Sequence, residues 1–317
     1  MGVRKLGMSC IVLGLLLSSG LGACTRTASS LAPSPAVSPS PSATARPKPL
    51  EYRVHRLPHS DVHTLIIPPQ SPYAVTVAIA PQLQTVEAFA QQHQAIAVLN
   101  GGFFDPQNQK TTSAVVIDTQ PVAKPEDNER LMSNPDLLPY LDKILNRSEF
   151  RRYVCTNTGA AAIQPYAIAR RQVLPPPECQ LQWALGAGPQ ILPLLTGEAE
   201  GFIVKEKNTI LRDSLGVQQR NARSAIGLRS DGSVVLVMAA QRPTAESPAG
   251  VSLPELAEFM QTLGVRQGLN LDGGSSASLF FQGETFYGKL NEQGQAIARP
   301  VKSVLLVKAI ARPSESQ

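Results

Sequence analysis

The sequence predicts a single α+β domain, a mixed and largely antiparallel twisted sheet with helices packed on it. Three observations point there. Short β-rich runs recur between glycine and proline turn signals. Helical spacing with end signals appears at 85–92 and again at 252–264. A long apolar run, Val301 to Ala309, reads as a final strand tied into the sheet. With 317 residues, 43% hydrophobic and 17% charged, the chain can bury a full globular core.

The first residues read as an address. Arg4 and Lys5 precede an apolar run from Ile11 to Leu17, then small residues up to Cys24. That order predicts a signal peptide over 1–23. The run is too short for a membrane-spanning helix of about 20 residues. Leu21-Gly22-Ala23-Cys24 resembles a bacterial lipobox, so Cys24 is the expected lipidation site. The expected location is the cell envelope, as a lipoprotein facing the periplasm or the exterior. Residues 24–50, rich in Pro, Ser and Ala, read as a tether spanning on the order of 80 Å when extended. The domain is expected over 51–311, with a tail over 312–317. Of four cysteines, Cys10 leaves with the signal, and Cys155 and Cys179 remain as a pair. In an oxidising compartment they are expected to form a disulfide worth roughly 3–4 kcal/mol.

Within the domain, Val62–Ile67 and Ala74–Ala80 read as strands, each ended by proline. Thr85 caps a helix through about Gln92, with Val86, Phe89 and Ala90 on one face. Ala95–Leu99 is a short strand delivering Asn100, and Thr112–Asp118 is β-rich. Asn134-Pro135-Asp136 opens a helix carrying Leu137, Leu138, Leu141, Ile144 and Leu145. Strands follow at Tyr153–Cys155, around Tyr166, and at Trp183–Ala187, Ser224–Leu228 and Ser233–Ala240, with Asp231-Gly232 as a hairpin signal. Ser252-Leu253-Pro254-Glu255 is a capping box before an apolar face ending at Gly264.

Chemistry is concentrated in two turns. Asn100-Gly101-Gly102-Phe103-Phe104-Asp105 and Asn270-Leu271-Asp272-Gly273-Gly274-Ser275-Ser276 each run from an apolar strand into polar groups and paired glycines. Glycine permits close backbone approach, and hydroxyls add small donors. Other chemistries lack their motifs: no His-Glu-x-x-His, phosphate-loop or Gly-x-Ser-x-Gly pattern occurs. All four histidines precede Asn100, and Pro58 breaks the helix that would align His55, His59 and His63 as metal ligands. No metal site is expected from the histidines and no cofactor; a divalent ion between Asp105 and Asp272 is compatible with the residues present. The net charge of +5 is scattered, which argues against a nucleic-acid partner. Ser275 and Ser276 lack a neighbouring base, leaving only the distant His93. Asp105 and Asp272 are thus the better candidates for base or nucleophile. Arg212 and Arg223 are candidate phosphate partners, because guanidinium pairs with phosphate in a bidentate way; for Arg223 an ion pair that stabilises the fold is an equal reading.

Together with Gly188-Pro189, Arg223-Ser224-Ala225-Ile226-Gly227 and Arg299-Pro300-Val301, these motifs resemble the phosphodiester glycosidase family in identity and order. The resemblance spans about 95 to 308. An animal member removes N-acetylglucosamine from its phosphodiester link to mannose 6-phosphate. Ser275 departs from the pattern, since many relatives carry a third glycine there. The resemblance implies a glycosidase-type hydrolase acting on sugar-1-phosphodiesters, and the expected location makes cell-envelope glycans or glycoconjugates the expected substrates. Asp272, Asp105 and Arg223 are then the expected catalytic residues. Asn100, Gly101, Gly102, Arg212, Asn270, Gly273, Gly274, Ser275 and Ser276 are expected to bind the substrate. Two alternatives stand beside this one: a non-catalytic carbohydrate-binding lipoprotein, and a hydrolase of ordinary exopolysaccharide glycosides.

Overall fold

The computed structural model describes residues 47–156, 165–207, 209–243 and 248–310. The expected signal peptide, Cys24 and nearly all of the tether lie outside the described residues, as does the tail. Among the described residues, no helix is long and apolar enough to cross a membrane.

Strands dominate, and every described strand pair is antiparallel. The expected single mixed sheet is instead three antiparallel sheets and a separate hairpin, with few helices. The first sheet runs in space Glu51–Arg56, Ser60–Ile67, Val234–Gln241, Arg223–Arg229, Val265–Asn270 and Gln190–Leu192. The second runs Glu284–Tyr287, Ser278–Phe281, Ala97–Asn100, Val301–Ala309 and Tyr73–Gln84. The third contains Gln120–Ala123, Val115–Ile117, Cys179–Gly186, Ser148–Cys155 and Tyr166–Arg170. Ile203–Glu206 and Thr209–Asp213 form the hairpin.

Alternation along the strands sorts the core into layers. Leu65, Leu236 and Leu269 of the first sheet meet Leu99, Leu305 and Val307 of the second in one central core, which Phe150, Trp183 and Leu185 of the third sheet extend. The opposite face of strand Val234–Gln241 carries Val235, Val237 and Ala239, packed under helix Leu253–Thr262. On the outer face of the second sheet, Val98, Val304 and Leu306 pack under helix Val86–His93. The result is helix, sheet, sheet, helix, with both glycine turns leaving strands at the seam between the sheets.

Both helices start as their residues dictate. Thr85 accepts from Ala88 N, and Ser252 and Glu255 complete a reciprocal capping box. The helix expected after Asn134 is reduced to a 3-10 turn, Leu138–Tyr140, and the short helix Leu141–Leu145, because Pro139 interrupts it. Tyr73–Gln84 continues through Pro81, where a stop was expected; it is an edge strand, which tolerates a residue without an N–H. The Gln282-Gly283 turn, both residues at positive φ, joins the unexpected strands Ser278–Phe281 and Glu284–Tyr287. Cys155 and Cys179 are disulfide-bonded across paired strands.

Candidate active site

The two glycine turns interlock through Asn100. Its side chain is fully buried. Nδ2 donates to Asp272 O at 2.6 Å, while Oδ1 accepts from Ser224 Oγ at 2.6 Å and Ser278 N at 3.2 Å. One amide thus ties both sheets and the second turn together. Asp272 N donates to Gly101 O at 3.0 Å, and Leu271 N to Ser224 O at 2.8 Å. The glycines serve close packing. A Cβ on Gly101 would lie 2.7 Å from Ser303 O, and one on Gly102 would collide with Gly186 O.

Several expected ligands are occupied by the fold itself. The amides assigned to cradling substrate are already bonded: Gly101 N to Ser303 O, Gly102 N to Ser303 Oγ, Gly273 N to Asp272 Oδ1 and Gly274 N to Ala222 O. Asn100 is a strut, and so is Asn270, whose Nδ2 donates to Gly188 O at 2.8 Å. Arg223 requires the largest correction. Its buried guanidinium donates to four carbonyls, Val251 at 3.3 Å, Leu215 at 3.1 Å, Gly216 at 2.8 Å and Gln219 at 2.9 Å. Burial lowers it to about 10, with the Asp213 charge opposing. It staples a loop and has no fork left for phosphate. Arg212 lies on the hairpin, with Nη1 on Gly201 O at 2.9 Å.

Asp105 is not paired with Asp272. Its carboxylate receives Arg130 Nε at 2.7 Å and Gln107 N at 2.8 Å in the loop after Phe104. Burial pushes it up, but the Gln107 amide and Arg130 hold it below the ordinary carboxylate value. Among the described residues, no three His, Cys, Asp or Glu side chains gather as a metal site.

Asp272, Ser275 and Ser276 do come together, with a residue whose role the sequence leaves unassigned. Arg299 Nη1 donates to Ser275 Oγ at 2.8 Å, and its guanidinium lies 5.1 Å from the centre of the Phe104 ring. Pro300 restricts Arg299 to extended backbone, the one local signal that this side chain is set deliberately before its strand. Asp272 is partly open to solvent yet densely surrounded. Burial lifts its carboxyl to about 6, against the Ser276 hydroxyl, the Arg299 charge and the Gly273 N–H. Among the described residues the buried Ser276 hydroxyl makes no other hydrogen bond, and it acts on the Asp272 carboxyl from inside the fold. The arrangement is one carboxyl poised near neutrality, two hydroxyls and one cation, set on a rigid seam. It can exchange a proton at mildly acidic pH and stabilise an anion beside it.

A family model described as phosphodiester glycosidase matches residues 93–308. Among solved structures, the chain is similar to the zebrafish N-acetylglucosamine-1-phosphodiester alpha-N-acetylglucosaminidase catalytic domain, auto-inhibited by its pro-peptide. The identity is 15% and the TM-score 0.59, covering 84% of this chain and 85% of that one. A structure described as a hypothetical protein from Synechocystis is 20% identical with a TM-score of 0.53, covering 81% of this chain. The match spans 61% of the Synechocystis chain's own length. At these identities the likeness is one of fold. No curated protein matches the chain.

Proposed function

Since the chain belongs to the phosphodiester glycosidase family, we propose that it is a hydrolase cleaving the bond between a sugar C1 and a phosphodiester oxygen. The observation that carries this reading is Asp272, held near pH 6 where the two glycine turns meet.

A phosphate ester is a weakly basic leaving group. Its departure from C1 therefore needs charge stabilisation more than a proton, while the oxocarbenium-like carbon needs a carboxylate. Ionised Asp272 serves as base toward water or as nucleophile at C1. Arg299, whose charge already acts on Asp272, replaces Arg223 as the cation of the site, and the partly exposed Ser275 offers a hydroxyl to sugar or phosphate oxygens, while the buried Ser276 stays behind Asp272. Two carboxylates are not required of this chemistry, which accords with Asp105 being bound elsewhere.

With Asp272 as base or nucleophile, kcat/KM should rise with pH through about 6, as the carboxyl loses its proton. Arg299→Ala removes a cation that favours the carboxylate, so it should shift this limb upward and lower kcat. Arg299→Lys should hold the limb near its original place. A flat wild-type profile across that range would remove Asp272 from the chemistry. The substrate class follows as a carbohydrate phosphodiester of the cell envelope, reached from a lipid anchor on Cys24. Support for the anchor is the lipobox-like 21–24 and the proline-rich tether. Cys24→Ser should move the protein from the membrane fraction to the soluble fraction; retention in membranes would overturn the anchor.

A further inference from the structure

Phe103 directly follows the first glycine turn, and its ring lies 5.6 Å from that of Phe202, centre to centre. Phe202 is set against Gly188, where an added Cβ would meet its ring at 2.9 Å and also strike the Glu200 carboxylate. Gly188 in turn bonds to Asn270 of the second motif. The two rings are thus tied to the first glycine turn and, through Gly188 and Asn270, to the strand that leads into Asp272.

Over them lies the guanidinium of Arg147, 3.7 Å from the centre of the Phe202 ring and 6.0 Å from that of Phe103. Nε donates to the Glu200 main-chain oxygen at 3.2 Å. Among the described residues, Nη1 and Nη2 have no acceptor, and they are not sealed from solvent. The Glu200 carboxylate does not engage them: it accepts from Ser148 N, Ser148 Oγ, Gln190 N and Thr196 Oγ1. Arg212, moored on Gly201 O and lying 5.8 Å from the Tyr140 ring, brings a second positive charge to the same corner. Burial lowers Arg147 to about 9, the Glu200 charge opposing and the Arg212 charge adding to the fall.

A stacked guanidinium keeps its nitrogens in one plane, and those without an internal acceptor can receive an anion. Phosphate oxygens match a guanidinium edge in pairs. The Glu200 charge offsets part of this cation pair, but its carboxylate bonds elsewhere and leaves the Nη nitrogens of Arg147 for an anion. We infer that Arg147, laid flat on Phe202 beside Phe103 and flanked by Arg212, is an anion subsite that takes a phosphate group through its free Nη edge. Assigning that phosphate to the substrate rests on the hydrolase reading; the anion site does not.

Titration of the full chain with inorganic phosphate, with methyl phosphate and with chloride as control tests it. Wild type and Asp272→Asn should bind both phosphates alike, and Arg147→Ala should weaken both at least about tenfold. Arg147→Lys, which keeps charge but loses the fork, should fall between. In the unaltered protein, phenylglyoxal labelling of Arg147 read by mass spectrometry should be blocked by phosphate and not by chloride. For turnover, Arg147→Ala should raise KM for a sugar-1-phosphodiester and leave that for an aryl glycoside unchanged. Unprotected labelling, or phosphate binding unchanged in Arg147→Ala, would overturn the subsite and leave the hydrolase reading standing. Protected Arg147 in a protein that hydrolyses no phosphodiester would do the reverse.

Discussion

Asp272→Asn should reduce turnover of a sugar-1-phosphodiester by about a thousandfold or more while making the protein harder to unfold at neutral pH. The two effects share one cause. The Asp272 carboxyl stands at about 6 in the folded chain, above the ordinary carboxylate value. A raised carboxyl gives its full share of stability below the unfolded-state pKa and loses it as pH climbs through the folded value. Between about pH 4 and 6, then, stability declines as the buried charge forms. At pH 7 the neutral amide avoids that cost, on the order of 1–3 kcal/mol. Thermal melts at pH 4 and pH 7 should show the variant gaining over wild type only at the higher value. Retained turnover would dismiss Asp272 as the working carboxyl, and a variant less stable at pH 7 would dismiss the buried charge.

Arg223→Ala should lower unfolding free energy by about 3–5 kcal/mol, among the larger effects of any single change. Four carbonyls lose their donor, from Leu215, Gly216, Gln219 and Val251. Each buried acceptor left unmatched costs about 1–3 kcal/mol before water or movement relieves it. Arg223→Lys should recover little, since one ammonium cannot reach carbonyls arrayed around a planar fork. Denaturant midpoints measure the loss directly. A variant with normal stability but impaired phosphate release would restore Arg223 to the chemistry.

Arg223 also shows where reading a sequence stops. A guanidinium beside small residues looks alike whether it meets phosphate or carbonyls. What decides is the path of 213–221 and the arrival of Val251, both long-range facts. Asp272 was legible because a carboxylate between an apolar strand and paired glycines is costly to place for packing alone. Arg299 was visible in the motif but carried no local mark of its partners, Ser275 and Phe104. Arg147 had no mark at all, since Phe202 reaches it from 55 positions away along the chain. Strands were legible for the same reason as Asp272: alternation and apolar runs are local. Their division into facing sheets was not, because periodicity names a face and never its partner.

The seam at Asn100 has a kinetic meaning. Amides that hold the pocket, those of Gly101, Leu271, Asp272 and Gly274, are bonded to Ser303, Ser224, Gly101 and Ala222 on neighbouring segments. Asp272 N to Gly101 O joins the two sheets, whereas Gly101 N to Ser303 O and Leu271 N to Ser224 O extend pairing within one sheet each. Hydrogen exchange at Asp272 N should therefore require the sheets to part, with protection as high as that of the central strands.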